Sequence, residues 1–410
     1  MTRPPDDEPT RSTFDVGAIR GQFPALRDGT AYFDGPGGSQ TPVRVAEAIR
    51  DALLRPLSNR GTVTAAARNA EEIVVRCRLA LADLVGAGPD DVIFGRSMTA
   101  LTFDMSRTLS TQWHPGDEVV VTRLDHDANV RPWVIAAASV GATVRWVDFD
   151  PQTCELPVRN VEAQLSERTR LVAVTAASNL LGTMPDIPAI ADRVHDAGAL
   201  LYVDGVHHTA HSAVDFGDLG ADFFACSPYK FLGPHCGVLV GKQRLLAELR
   251  PDKLLPATDR VPERFEHGTL PYELMAGTTA AVDFLADMTE ADGSRRQRIV
   301  AAMRELERHE DALRQRIEGG LGLLPHVTVH SRAARRTPTL LLTIAGREPA
   351  EVSELLARHD INAPAGSFYA YEAARRLGLG EAGGVRIGLA PYNTDEDVDR
   401  LVTVLTGIGS

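Results

Sequence analysis

The stretch from Leu200 to Val240 holds a carboxylate and a lysine spaced for carbonyl chemistry. Leu200, Leu201, Tyr202 and Val203 form an apolar run that ends at Asp204. Phe223, Phe224 and Ala225 lead into Ser227, Pro228, Tyr229 and Lys230, and Val238, Leu239 and Val240 follow. A carboxylate and a lone lysine brought together at strand ends are what pyridoxal phosphate needs. The amine forms a Schiff base with that cofactor, and the carboxylate keeps its pyridine nitrogen protonated, so that it acts as an electron sink. A salt bridge at a sheet edge uses the same two residue types, and this pair alone does not choose between the two.

The elements that must position the pair follow from the hydrophobic pattern. Strand-like runs alternate with helical ones, which is the signature of an α/β protein whose parallel sheet is covered by helices. Strands are expected at 91–94, 118–122, 143–147, 171–175, 199–203, 223–225 and 237–240, seven in all. A helix is expected over 70–85, where Ile73, Val74, Cys77, Leu79, Leu81 and Leu84 recur at roughly helical spacing before Gly86 and Gly88 stop it. After Leu270 the pattern changes to long helices over 272–288 and 294–318. Alternating strands and helices then run through 337–344, 352–359, 385–389 and 395–405. The expected organisation is an N-terminal segment (1–30), a large domain (31–275) and a smaller C-terminal α+β domain (276–410). The Pro- and charge-rich loop 251–266 reads as a subunit contact or a cover.

Composition narrows the class of function. A net charge of -12 and a pI near 5.5 argue against nucleic acid or an anionic membrane as the main partner, because both reward a basic face. No stretch approaches the roughly 20 apolar residues of a membrane span. The polar, Pro-rich start MTRPPDDEPTRST lacks a secretory apolar core, so a cytoplasmic protein with a frayed N-terminus is expected. Cys77, Cys154, Cys226 and Cys236 show no CxxC spacing, and neither a disulfide set nor a metal site is expected from them. A small-molecule enzyme fits this frame.

Seven segments, in order, carry a resemblance. GRSMTALTF (95–103), RLDHDANVRPW (123–133), ASNLLGT (177–183), YVDGVHH (202–208), CSPYKFLGPH (226–235), FEHGT (265–269) and VRIGLAPYNTDEDVDRL (385–401) resemble the class V aminotransferases. The similarity is greatest to the cysteine desulfurase-like branch of fold type I pyridoxal phosphate enzymes, and it covers most of the chain from about Tyr32 onward. It implies a large domain with a mostly parallel seven-stranded sheet, a smaller C-terminal α+β domain and pyridoxal 5'-phosphate as cofactor. Carried over residue by residue, it implies that Lys230 is the Schiff-base lysine and Asp204 the partner of the pyridine nitrogen. His126 would stack on the ring and assist proton transfer, and Asn179 would stand near the phenolic oxygen. His207, three residues after Asp204, is within reach of the ring or of that carboxylate, whereas His208 and His211 suit packing or solvent-facing roles.

Phosphate needs donors without competing carboxylates, and a strand followed by a helix N-terminus offers free amides and a favourable dipole. Met98 and Thr99 stand at such a place. The family often has a hydroxyl residue where Met98 stands, which leaves the Met98 amide and the Thr99 side chain to hold the group, with Ser227 and Tyr229 adding hydroxyls. Thr269 matches a residue that reaches the neighbouring subunit's phosphate, implying a homodimer with shared active sites. Arg386 matches the arginine that grips the substrate α-carboxylate, which a guanidinium does with two parallel bonds. Arg60 and the GPGGSQ loop (35–40) are expected to border the substrate pocket.

One departure redirects the chemistry. Desulfurases of this family use a small-lobe cysteine as nucleophile, in a segment that here reads PAGSFYAYE (364–372), and no cysteine occurs after Cys236. Tyr369 stands about where that thiol would be, and a phenol is too poor a nucleophile at neutral pH to collect a persulfide. The expected reaction is therefore β-elimination from an S-substituted cysteine. The resemblance extends to carbon-sulfur lyases acting on cysteine conjugates in ergothioneine and lincosamide antibiotic biosynthesis. Decarboxylative oxidative deamination and amino transfer are the alternatives within the same family. Tyr369, with Phe368 and Tyr371, is expected to form an aromatic wall for the sulfur substituent or to supply an acid to it.

Overall fold

The computed structural model describes residues 14–408. Apolar runs without polar alternation, such as Glu118–Thr122 and Gly237–Gly241, are buried along their whole length, as strands covered on both faces must be. Seven strands form one sheet: β1 (Val92–Gly95), β2 (Glu118–Thr122), β3 (Thr143–Val147), β4 (Thr169–Thr175), β5 (Leu200–Asp204), β6 (Phe223–Cys226) and β7 (Gly237–Gly241). Their spatial order is β1-β7-β6-β5-β4-β2-β3. The pairs among β2 to β6 and β3 are parallel, and β7 is antiparallel to both β6 and β1. Only β7 is therefore reversed, and the C-terminal ends of the other six strands share one edge. At the margin of the sheet β3 alternates between exposed and partly covered residues, which marks it as an edge strand with one wet face.

The helix expected over 70–85 spans Ala65–Val85. Thr64 caps it by accepting from the amide of Ala67 at 3.1 Å, and Gly86 stops it with φ 68. Its first turn is alanine-rich, so it carries helix propensity but no apolar stripe that periodicity can detect. A second helix, Met98–Ser110, starts directly after β1, with Ser97 as its N-cap accepting from Ala100. Gly237 lets β7 pass beneath that start, since a Cβ there would lie 2.1 Å from the carbonyl carbon of Ser97 and 2.4 Å from the amide nitrogen of Met98. Replacing Gly237 by Ala is expected to destabilise the protein by about 1–3 kcal/mol through overpacking and to weaken cofactor retention. Thermal denaturation and the cofactor-to-protein ratio report the two effects, and an unchanged melting temperature would refute the close approach.

A second sheet comprises β8 (Val327–Val329), β9 (Thr339–Ile344), β10 (Ala365–Gly366) and β11 (Gly384–Gly388), antiparallel throughout in the order β10-β11-β9-β8. Its apolar core also takes in Ala31 and Phe33, and Ala31–Tyr32 pairs in parallel with Ile361–Asn362. Residues 31–33 therefore belong to the small lobe's core instead of opening the large one. The expected boundary at 275/276 falls inside the helix Tyr272–Ala286, which packs into the large lobe through Met275, Val282 and Leu285. The lobes change along the helix Arg295–Leu321, where Ile299 and Leu306 face the first core and Leu313, Ile317 and Leu321 the second. Helical periodicity shows that a face is buried but not against which core it lies. Phe23 is buried against Phe284 and Tyr392; the fraying expected of the N-terminus concerns residues 1–13, which lie outside the described residues. No helix among the described residues is long and apolar enough to cross a membrane.

Candidate active site

Five of the six aligned strand ends open into one cavity of about 720 Å³, closed on its far side by Pro364, Phe368, Tyr369 and Arg386 of the small lobe. This is the edge at which open α/β sheets bind ligands. Asp204 is the last residue of β5, 4% exposed, and its Oδ1 accepts from the amide of Val206 at 2.9 Å. Burial raises its pKa to about 6, with the Val206 amide and the Lys230 charge pulling the other way. β6 runs through Ser227 into a single 3-10 turn, Pro228–Lys230. There the Lys230 Nζ donates to the carbonyl of Pro36 and lies 4.7 Å from the centre of the Tyr229 ring. Burial, then the Arg386 charge, bring the Lys230 pKa down to about 7 against Asp34 and Asp204. An amine that sheds its proton near neutrality is available as a nucleophile and as a base.

His126 follows β2 and lines the cavity. Its Nδ1 accepts from the amide of Ala128 at 3.0 Å, which places the proton on Nε2, and burial lowers its pKa to about 4. The ring is therefore neutral at physiological pH. Beneath it Asp125, Asn129 and Trp133 form a buried chain of hydrogen bonds that fixes the loop. Asn179, beyond β4, directs its Nδ2 to the carbonyl of Phe368 at 2.9 Å, and its buried Oδ1 has no partner. His207 also lines the cavity; its Nε2 lies 2.9 Å from both the Thr337 and Thr339 hydroxyls, and its Nδ1 is buried without a partner. His208 and His211 are buried, and His211 pairs with Glu310 at 2.8 Å.

Ser97, Met98 and Thr99 line the cavity where the helix Met98–Ser110 begins. The amides of Met98 and Thr99 have no backbone acceptor among the described residues. Ser227 lines the cavity as well. Tyr229 does so too, with its ring stacked on His235 at 4.7 Å between centroids and an angle of 7°. Arg386 lies mid-strand in β11, third of five residues. It is 2% exposed, its Nη2 donates to Asp34 at 2.7 Å, its Nη1 donates to the carbonyl of Asn179 at 3.2 Å, and its guanidinium stacks 3.7 Å from the Phe368 ring centre. Tyr369 stands at the cavity mouth, 75% exposed, with its ring 5.4 Å from that of His126. Phe368 and Tyr369 both hold positive φ, 52 and 58, an unusual backbone for aromatic residues, which concentrates at functional loops.

Two expected site residues lie elsewhere. Arg60 does not line the cavity; it is tied to Glu71 at 2.8 Å and to Glu263 at 3.4 Å, carboxylates that no local sequence pattern connects to it. Thr269 is exposed and outside the cavity of its own chain. Conversely, sequence reasoning missed Asp34, Phe103 and Arg131, all of which line the cavity. Asp34 immediately precedes the glycine-rich loop 35–40, and a charge beside such a loop is the one sequence signal for it.

The sequence model of the aminotransferase class-V family matches residues 31–401. The chain belongs to the class-V aminotransferase family. Class-V relatives include an uncharacterized protein of Mycobacterium tuberculosis, 33% identical over 97% of this chain and 100% of its own length. An aminotransferase-like protein of Gibberella zeae is 33% identical over 96% of this chain and 98% of its own. Among solved structures, the cysteine desulfurase CsdA of Escherichia coli superimposes with a TM-score of 0.85 at 27% identity, covering 96% of this chain and 98% of that one. The chain is thus a class-V, cysteine desulfurase-like enzyme of fold type I, and pyridoxal 5'-phosphate is its cofactor.

The residues present fit that cofactor. The cavity offers an amine with a pKa of about 7, a buried carboxylate at a strand end, and a neutral imidazole face. It also offers two free helix amides, and buried polar atoms on Asn179 and His207 that lack partners. Lys230 would hold the aldehyde carbon, Asp204 the pyridine nitrogen, and the start of the helix Met98–Ser110 with Ser227 the phosphate.

Proposed function

We propose that the protein is a pyridoxal phosphate-dependent carbon-sulfur β-lyase that cleaves S-substituted L-cysteine conjugates, in natural-product or low-molecular-weight thiol metabolism. The observation that carries this reading is the absence of any thiol from the cavity lining. Cys77, Cys154, Cys226 and Cys236 are all buried, and burial pushes each thiol pKa up, away from the thiolate that persulfide chemistry requires. The small-lobe loop offers Phe368 and Tyr369 instead, aromatic surface suited to a bulky thioether. Thr269, exposed and outside its own cavity, is assigned to the phosphate of a second copy, so the working unit is a homodimer.

When bound, pyridoxal phosphate supplies the sink for electrons released at Cα. The Lys230 amine, once displaced by the substrate, takes the Cα proton. Asp204 would hold the proton at the pyridine nitrogen, Arg386 would hold the α-carboxylate, and the neutral His126 ring would cover the cofactor and exclude water. The reaction is R–S–CH2–CH(NH3+)–COO− plus water, giving R–SH, pyruvate and ammonium. Incubation of the holoenzyme with an S-alkyl-L-cysteine is expected to release pyruvate and thiol in equal amounts without oxygen uptake. Carbon dioxide with an aldehyde and hydrogen peroxide would replace the reading by decarboxylative oxidative deamination. Turnover only in the presence of an added keto acid would replace it by amino transfer.

A further inference from the structure

The charged groups lining the cavity are Asp34, Asp127, Asp204, Arg131, Lys230 and Arg386. Arg131 and Asp127 pair with each other at 2.8 Å. Lys230 and Asp204 are engaged by the cofactor. That leaves Arg386 and Asp34, joined at 2.7 Å, with the guanidinium 2% and the carboxylate 30% exposed. The pair is therefore buried on its cationic side and open to the cavity on its anionic side. The loop is built around this carboxylate, since a Cβ on Gly37 would lie 2.3 and 2.4 Å from the two Asp34 carboxylate oxygens. The amides of Gly37 and Gly38 donate to the Asp34 carbonyl at 2.8 and 3.0 Å and set the turn. Arg386 keeps one donor in reserve, as its Nε is buried and unpartnered.

We propose that Asp34 and Arg386 form an exchangeable ion pair that receives a zwitterionic α-amino acid, making Asp34 a specificity-determining residue of this site. On entry, before its nitrogen goes on to displace Lys230, the amino acid's carboxylate takes the place of Asp34 on Arg386 and its ammonium takes the place of Arg386 on Asp34. A buried guanidinium and a partly exposed carboxylate exchange partners, and the guanidinium is not left bare at the end, which is the condition for a desolvated charge to be tolerated. A carboxylate without an α-ammonium meets the opposite situation: it brings a second negative charge to Arg386 and leaves Asp34 unpaired beside it. A free keto acid is such a ligand, so the pair favours amino acids that enter and are broken down over amino transfer to a keto acid. The inference rests on Arg386 as the carboxylate site but not on carbon-sulfur cleavage.

The test uses ligands with no leaving group, so that failure of the lyase reading leaves it intact. Binding of L-norvaline and of pentanoate, the same chain without the amine, is measured by calorimetry on the cofactor-loaded protein for wild type, Asp34→Asn and Asp34→Ser. Wild type is expected to prefer norvaline strongly, partly because its amine also reacts with the cofactor, so the contribution of Asp34 is read from the change between wild type and each variant. In both variants pentanoate is expected to bind about 10- to 100-fold more tightly than in wild type, and norvaline more weakly, because the repulsion and the ammonium partner are removed together. Tighter binding of both ligands would show that Asp34 merely competes for Arg386 and would overturn the exchange. So would pentanoate affinities within about twofold of wild type, or wild type that binds pentanoate as well as norvaline.

Discussion

Lys230→Ala is expected to abolish the visible band of the lysine-bound cofactor and to lower kcat by about a thousandfold or more, the range for removal of a positioned proton-transfer group and nucleophile. The environment that makes the lysine reactive also makes the empty site costly. Burial lowers its pKa from 10.5 to about 7, so between those values the unfolded chain binds more protons at this residue than the folded one. Stability of the cofactor-free protein therefore rises with pH across that window as far as Lys230 is concerned. At about 1.4 kcal/mol per pKa unit, relief of the buried charge is on the order of 3–5 kcal/mol. Cofactor-free Lys230→Met should melt above the cofactor-free wild type at pH 7, and the gap should close as the pH approaches 10.5. A gap independent of pH would show that side-chain volume, and not the ammonium charge, is responsible. The same low pKa predicts that covalent capture of added cofactor by the empty protein accelerates with pH only up to about 7 and then levels off.

Much of this arrangement is legible in the sequence because it depends on strand ends. The strand β5 and its terminal Asp204, the turn at Lys230 and the helix start at Met98 each follow an apolar run that local patterning reveals, and six such runs end on one edge of a single sheet. What the pattern does not contain is pairing across lobes. Asp34 and Arg386 are 352 positions apart and meet only because the short strand Ala31–Tyr32 joins the small lobe's core. His207 likewise finds its two hydroxyl partners, Thr337 and Thr339, across the lobes, 130 and 132 positions away. Arg60 illustrates the reverse case. An arginine in a loop rich in turn residues reads as a pocket border, yet Glu71 and Glu263 from two separate segments hold it elsewhere. The Tyr369 position was marked by the missing thiol, but the consecutive left-handed backbone of Phe368 and Tyr369 has no signature in residue type.

Asp204→Asn is expected to act in opposite directions on the empty and the loaded protein, and that opposition separates a cofactor partner from a structural carboxylate. The substitution keeps an oxygen able to accept from the Val206 amide, the contact that orients the side chain at 2.9 Å, so the strand end is retained. In the empty protein burial holds the carboxyl pKa at about 6 instead of 3.8. The folded state then binds more protons than the unfolded one between those values, and stability is lost as pH rises through that window. Asparagine carries no such penalty, and the cofactor-free variant should be more stable than wild type at pH 7 by about 3 kcal/mol, with the difference gone by about pH 3. In the loaded protein the carboxylate faces a protonated pyridine nitrogen, and truncating one partner of a buried charge pair costs about 2–5 kcal/mol. Cofactor affinity, read by equilibrium dialysis, or kcat should therefore fall by about 30-fold to several thousandfold. If Asp204 served only to close the strand end, the empty protein would show the same pH-dependent gain, since that comes from burial, but cofactor affinity and kcat would not fall. A variant more stable when empty yet poorer at holding or using the cofactor is what a site built for a cation, and strained without one, has to show.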